Sequence, residues 1–317
     1  MKKKTVCIFG GTGFVGYYLC SQLIDAGYQV RVLARHPQRN RRLMVLPGLR
    51  LIHGTPHDRE DLNNALKDCD VAINLVGILN ERGNKGRGFR RIHVDLSKSI
   101  LQACLDNRVP RLLHMSALNA DAAKGTSHYL RSKGEAENYL HTISGRQIHV
   151  TTFRPSVIFG PGDSFLNRFA GLLKQIPVFF PLACPDSRFA PVYVGDVAEA
   201  FVRCIDDPST FSQRFDLCGP HEYTLRQLVD YTARTIGVRK AIIGLPDWAS
   251  RLQASIMEWA PGKPFSRDNY LSLQVDSVCP KGSKTCRTPL EAIAPSYLGH
   301  DEFNSRMQHF RTQAYRK

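Results

Sequence analysis

Tyr129 and Lys133 stand four residues apart in the run from Ser127 to Glu137, a spacing that puts a phenol and an ammonium on one face of a helix. A tyrosine hydroxyl ordinarily titrates near roughly 10. A neighbouring cation and an oxidised nicotinamide favour the phenolate, which brings the group toward service as an acid or base. The lysine head can also hold a ribose. Ser116, in His114-Met115-Ser116-Ala117, is the natural third member, placed to hydrogen-bond a substrate carbonyl or hydroxyl. Pairs of this spacing also arise by chance on exposed helices, so the weight rests on where this pair falls in the surrounding pattern.

A second cluster precedes it. Gly10-Gly11-Thr12-Gly13-Phe14-Val15-Gly16 follows an apolar run and opens a helical one. Gly10 permits a tight turn, Gly13 lets a pyrophosphate approach the backbone at the positive end of the helix, and Gly16 permits close packing of helix on strand. Gly10, Thr12, Gly13, Phe14, Val15 and Gly16 are therefore expected to line a dinucleotide. About 20 residues further on, where an NAD-binding turn carries Asp or Glu, this chain has Arg35, followed by His36. A carboxylate repels a 2'-phosphate, whereas a guanidinium holds it in a fork. NADP(H) is thus expected in preference to NAD(H), with Arg39, Arg41 or Arg42 as helpers. The competing reading makes Arg35 one solvated charge in a basic loop.

The elements that must position these groups alternate. Runs 5–9, 29–33, 49–52, 71–76, 111–115 and 149–153 are short and rich in Val, Ile and Leu, as strands buried on both faces are. Segments 14–25, 58–67, 93–107 and 128–144 carry apolar residues at helical spacing. Six alternations predict an α/β chain with a doubly wound parallel sheet of Rossmann type. The helix bearing Tyr129 and Lys133 then follows the fifth strand and passes the nicotinamide side of the cleft. Beyond Arg154-Pro155 the period loosens. Residues 1–156 read as the dinucleotide-binding domain, with 189–218 returning to it; 157–188 and 219–300 read as a smaller, irregular substrate domain, and 301–317 as a basic tail.

Composition narrows the partners. The 317 residues hold 43 Lys and Arg against 28 Asp and Glu, a net charge of +15, which favours phosphates or anionic surfaces. The charge lacks the aromatic interleaving of a single-strand platform, so nucleic acid is not expected. The nine cysteines form no C-x-x-C pair and read as reduced, buried residues without disulfides or metal, in a cytoplasmic setting. The opening Met-Lys-Lys-Lys imitates a secretory leader, but glycines interrupt the apolar stretch. No run of about 18 apolar residues is present, so membrane association is expected to be peripheral. Trp248, Leu252, Ile256 and Trp259 share one helical face. That face could meet a membrane or a partner, but it is expected to pack on the sheet domain, as amphipathic stripes usually do.

Taken together, the glycine turn, Asn74-Leu75-Val76-Gly77, Ser116, Tyr129 with Lys133, Arg154-Pro155 and Val194-Gly195-Asp196-Val197-Ala198 resemble the short-chain dehydrogenase/reductase superfamily, in its extended and atypical branches. More narrowly, residues 74–83, the run around Tyr129 and Lys133, and 290–298 are similar to bacterial relatives of the NADPH-binding accessory subunit of mitochondrial respiratory complex I. The resemblance spans residues 4–298. It implies an NADP(H) site built from 10–16, Arg35, Val76, Gly77, Lys133 and Pro155, with Tyr129 beside it. It departs at Gly54-Thr55, where the family commonly has Gly-Asp; Thr55 is the expected substitute contact to adenine. Three functions follow: an oxidoreductase acting on a carbonyl or alcohol through Ser116, Tyr129 and Lys133; a nucleotide-loaded structural or assembly protein docked on respiratory-complex subunits or a membrane surface; and a nucleotide-sugar epimerase or dehydratase, against which Arg35 argues.

Overall fold

The computed structural model describes residues 3–298 except 146, 177, 261, 262 and 284; the basic tail 301–317 lies outside the described residues. Seven parallel strands form the central sheet: β1 (Thr5–Phe9), β2 (Gln29–Ala34), β3 (Leu49–His53), β4 (Val71–Asn74), β5 (Arg111–Met115), β6 (His149–Pro155) and β7 (Arg214–Leu217). Their order is β7-β6-β5-β4-β1-β2-β3. The chain winds outward from β1 through β2 to β3, then returns to β4 on the other side, which leaves a crevice at the carboxyl ends of β1 and β4.

Every residue of β1 is buried, because both faces of the sheet are covered. Val6 and Ile8 face α1 (Phe14–Asp25) and a helix over Val194–Cys204, through Leu19, Leu23, Val197 and Phe201. Cys7 and Phe9 face the opposite layer, where α2 (Arg59–Leu66), α3 (Leu96–Asp106) and α4 (His128–Ile143) contribute Leu62, Leu66, Ile100 and Leu140. This two-sided burial explains why the strands read as continuous apolar runs rather than alternating ones.

A third apolar cluster, with Phe159, Leu173, Phe180, Leu228 and Leu290, lies apart from these two. It is built by α5 (Leu166–Gln175), α7 (Leu225–Thr235) and α10 (Leu290–Leu298), after which the helix Val194–Cys204 is α6. The same half contains α8 (Asp247–Met257), α9 (Arg267–Ser272) and a parallel two-stranded ribbon of Phe179–Leu182 with Ala241–Gly244. No described helix is long and apolar enough to cross a membrane.

Four expectations need correction. The fourth strand ends at Asn74, not Val76, because the Asn74 side chain accepts the Val76 N–H at 3.0 Å and turns the chain out of the ladder. The helix expected from His93 starts earlier, with a π-helical turn over Arg90–Asp95 that runs into α3. The cysteines are not all free: Cys218, just after β7, is bonded to Cys279, 61 residues away. Sequence spacing carries no hint of that pairing because tertiary contacts make it; Ser156 donates to the Ser277 carbonyl at 2.6 Å and draws the 277–279 segment against the sheet edge. Finally, the stripe of Trp248, Leu252, Ile256 and Trp259 does not pack on the sheet. All four side chains are exposed, since α8 turns Ser250 and Ala254 inward instead.

Candidate nucleotide and catalytic site

The glycine turn sits at the crevice. Gly10 has φ +83°, and a Cβ there would lie 3.1 Å from Val76 N, so the turn and the β4 exit touch. A Cβ on Gly16 would come within 2.5 Å of the Gly11 backbone, and one on Gly13 within 3.3 Å of the Gly10 carbonyl. Gly13 is the N-cap of α1, and its own N–H is used by Gly10 O at 3.0 Å. The N–H groups of Phe14, Val15 and Gly16 begin the helix, where no intrahelical acceptor exists. No acidic residue occupies that first turn. Thr12 and Gly13 are exposed beside it. Small residues, unsatisfied donors and a positive helix end fit a diphosphate.

At the far side, Arg35 and His36 leave the end of β2 and are exposed. His36 caps a short turn, its carbonyl accepting from the Asn40 amide at 2.8 Å. Thr55, after β3, donates its N–H to Asp61 at 2.8 Å, and its hydroxyl accepts from His57 N. Asp58 is committed to the N-terminus of α2, accepting from Glu60 N and Asp61 N. The acids of this corner are therefore engaged by backbone. His57 is held below its usual range by burial first, then by Arg91 and Arg35, so both cations act on this histidine. No sequence motif points to Arg91; it stands far along the chain from Arg35, and only the π-helical turn delivers it.

Val76 and Gly77 follow β4, Ser116 follows β5, Pro155 ends β6, and Tyr129 and Lys133 lie on α4. Lys133 is buried, donates to the Met115 carbonyl at 3.0 Å, and lies 3.1 Å from where a Gly77 Cβ would be. It therefore bridges the exits of β4 and β5. Burial pushes its ammonium down to about 8, with Glu137 opposing. Pro155 closes β6, buried, its carbonyl accepting from Leu118 N. Ser116, the residue after Met115, has a buried hydroxyl with no hydrogen-bond partner among the described residues. A buried unpaired hydroxyl costs about 1–3 kcal/mol; His114 Nε2, two residues earlier, is likewise without a partner among the described residues.

Tyr129 is partly buried. Burial, and then the Asp268 carboxylate, raises its phenol to about 12. The phenol is therefore protonated at neutral pH in the absence of nucleotide. Its ring packs edge-on against His93 at 5.5 Å and Phe89 at 6.0 Å. His93 accepts the Ile78 N–H at 3.1 Å through Nε2 and meets Ser132 at 2.8 Å through Nδ1. Burial first, then Lys133 and His114, holds it down to about 2, so it stays neutral and pins the chain after Gly77 to α4. From the sequence alone His93 is only the start of a helical segment.

The helix bearing Tyr129 is itself fixed from two sides. Ser127 caps it by accepting Leu130 N, while Asp268 of α9 accepts His128 N at 2.7 Å and Tyr129 N at 3.1 Å. Behind Lys133, Glu137 is fully buried and receives Arg154 at 2.9 Å and Arg214 at 3.2 Å, tying α4 to β6 and β7. Asp268 stands 139 residues from the tyrosine it positions, beyond any spacing motif.

Residues 6–218 match the NAD dependent epimerase/dehydratase family. The chain is 34% identical over 284 residues to the Mus musculus mitochondrial NADH dehydrogenase (ubiquinone) 1 alpha subcomplex subunit 9, covering 86% of this chain and 72% of that one. It is 28% identical over 250 residues to the ceramide reductase of Caulobacter vibrioides, covering 77% and 74%. Among solved structures, the UDP-glucose 4-epimerase of Thermus thermophilus in complex with NAD superposes with a TM-score of 0.64 at 19% identity, covering 85% of this chain and 99% of that one. The resemblance drawn from the motifs and these matches agree, and the chain belongs to the NAD dependent epimerase/dehydratase family, with the Rossmann fold and NAD(P)-binding character of that family.

Proposed function

We propose that this protein is an NADP(H)-dependent oxidoreductase that reduces a carbonyl group on a lipophilic substrate, with Ser116, Tyr129 and Lys133 at the reacting end of the nucleotide. The single observation that carries this reading is the unpartnered, buried Ser116 hydroxyl one residue from the carbonyl that Lys133 grips. A structural nucleotide alone needs no such donor.

The nucleotide, when bound, supplies hydride. Ser116 donates a hydrogen bond to the substrate oxygen and orients it. Tyr129, protonated because its pKa is raised, gives a proton to that oxygen as negative charge develops. Lys133 stays on the Met115 carbonyl and offers its remaining hydrogens to the ribose. Val76, Gly77 and Pro155 form the apolar walls. At the other end, Arg35 with His36, helped by Arg91, takes the 2'-phosphate, and Thr55 takes the adenine edge. Residues 157–188 and 219–298 supply the substrate half.

The substrate class rests on the ceramide reductase relative. Mass identification of the nucleotide retained on purification tests the cofactor, and hydride-transfer screens of lipid, quinone and sugar carbonyls test the substrate. Tyr129→Phe is expected to bind nucleotide normally and to lose turnover by about 10²–10⁴-fold; unchanged turnover rules the mechanism out. The identity to a respiratory-complex subunit favours a second reading, a nucleotide-loaded assembly protein. Retained NADPH that no candidate carbonyl oxidises, with co-purifying membrane-complex subunits, would select it.

A further inference from the structure

We propose that the outer face of α8, extended by Trp259, is a docking surface for an anionic lipid bilayer. Trp248, Leu252, Ile256 and Trp259 recur at helical spacing and are 71%, 52%, 63% and 86% exposed, while Ser250 and Ala254 on the opposite side are buried. Isolated exposed apolar residues are ordinary; three in one stripe on one helix, with a fourth in the turn that follows it, mark a binding face. The adjoining ribbon also exposes apolar side chains. There Phe180 and Leu182 point inward, Phe179 and Ile243 point outward and are half exposed, and Gln253 of α8 holds the Pro181 carbonyl at 3.2 Å.

Two features favour a bilayer. First, the only two tryptophans of the chain stand at the two ends of this stripe, and tryptophan is the residue whose amphipathic ring suits the headgroup level. An eleven-residue helix spans only about 16 Å, so it lies in the interface rather than crossing. Second, the rim is basic. Arg251 projects beside Trp248 and Leu252, Arg267 reaches α8 at Ser255, and Arg82 and Lys263 share an open cleft of about 710 Å³ with Trp259. Against these four cations stand Asp247, which accepts from Tyr270 at 2.7 Å, Glu258, which faces Arg267 at 3.6 Å, and Glu81, which lines the cleft and accepts from Gly86 N and Gly88 N, so the rim keeps a small cationic excess. This charge complements anionic lipid. A second copy docking on the same face would set its arginines against their own equivalents.

Docking on this face brings the 80–84 segment, which lines the Trp259 cleft and follows closely on Gly77, to the bilayer. The inference goes beyond the proposed reaction and does not depend on turnover. The experiment uses the full chain with its retained nucleotide and vesicles of phosphatidylcholine, with and without about a third phosphatidylglycerol. Because both tryptophans lie on the face, intrinsic emission reports it directly. Expected are co-sedimentation with the anionic vesicles, a blue shift on binding, quenching by brominated acyl chains and weakening by salt. Leu252→Ser with Ile256→Ser keeps both reporters and nucleotide binding, and is expected to weaken partitioning on the order of tenfold or more. The proposal is overturned by any of three results: no shift and no co-sedimentation, a lipid-free emission already blue in the monomer or in a concentration-dependent dimer, or vesicle binding by the double variant equal to that of the parent chain.

Discussion

The carboxyl edge of the sheet and the outer face of α8 are opposites in how they constrain their residues. At the edge, a Cβ on Gly16 would sit 2.5 Å from backbone, Lys133 is locked between two strand exits, and Glu137 is sealed beneath it by two arginines. On α8 and the turn after it, four large apolar side chains are more than half exposed. The first region is over-determined by its own chain, so chemistry can rely on positions held without reorganisation. The second is determined by what covers it. The proposed chemistry relies on rigidity in the one, and the proposed docking on surface left unburied in the other.

The sharpest way to break this contrast is catalytic. Lys133→Met is expected to reduce both nucleotide affinity and turnover, whereas Tyr129→Phe reduces turnover alone, each by at least about 10²-fold. The α8 double variant leaves turnover of a water-soluble carbonyl untouched. Steady-state kinetics on the three variants separates the regions; a turnover loss in the α8 variant would merge them.

Acid should unfold the two regions unequally in origin. His93 is pushed down to about 2 and His114 well below its usual range, both by burial, and both lie at the sheet. Their folded pKa values are depressed, so below about 6.5 only the unfolded chain takes up their protons. Stability is full above that pH and drains as pH falls toward about 4, each histidine contributing up to about 1.4 kcal/mol per pH unit. Urea unfolding of the nucleotide-free protein at several pH values measures it. A flat profile across that acid range would mean these rings are solvated, and the edge would not be the sealed region described.

Arg35 tests the outer corner of the same edge. Arg35→Ala is expected to weaken NADPH by roughly 1.5–3 kcal/mol, the worth of a charge-assisted hydrogen bond, and to leave NADH nearly unchanged. Titration calorimetry with both nucleotides reads the difference. Equal losses would make Arg35 a general attractor among cations and shift the discrimination to Arg91.

What the sequence disclosed follows from the same contrast. The strands 5–9 and 111–115 and the helix 14–25 are legible to the residue, because two-sided burial and the glycine turn leave few residue types admissible. That Ser116, Tyr129 and Lys133 belong to one strand-helix unit is legible, since the alternation of elements puts the serine just after β5 and the other two on α4. His93, Arg91 and Asp268 cannot: a π-helical turn delivers two of them, and a helix 140 residues downstream of His128 delivers the third. The α8 stripe is visible as periodicity but misplaced, because spacing at 3.6 residues identifies an apolar face and is the same whether that face is buried or bare. The Cys218–Cys279 pair is invisible for a related reason: nothing local distinguishes a cysteine that will meet a partner 61 residues away.

The smallest expected effects come from two glycines, one in each half. Gly16 lies in α1, and the added methyl of Gly16→Ala would overlap the backbone of Gly11, which cannot move without opening the phosphate turn; a loss of about 1–3 kcal/mol is expected, together with weakened nucleotide binding. Gly171 lies within α5, with nothing within 4 Å of its added Cβ. Gly171→Ala restricts the unfolded chain at no steric cost and is expected to stabilise by roughly 0.5–1 kcal/mol. Denaturant midpoints at constant slope measure both. Opposite signs hold the distinction between a turn whose glycine is required by close approach and a helix whose glycine is merely tolerated. If Gly16→Ala were neutral, the turn could relax around a side chain, and the tight seat inferred for the diphosphate would be lost with it.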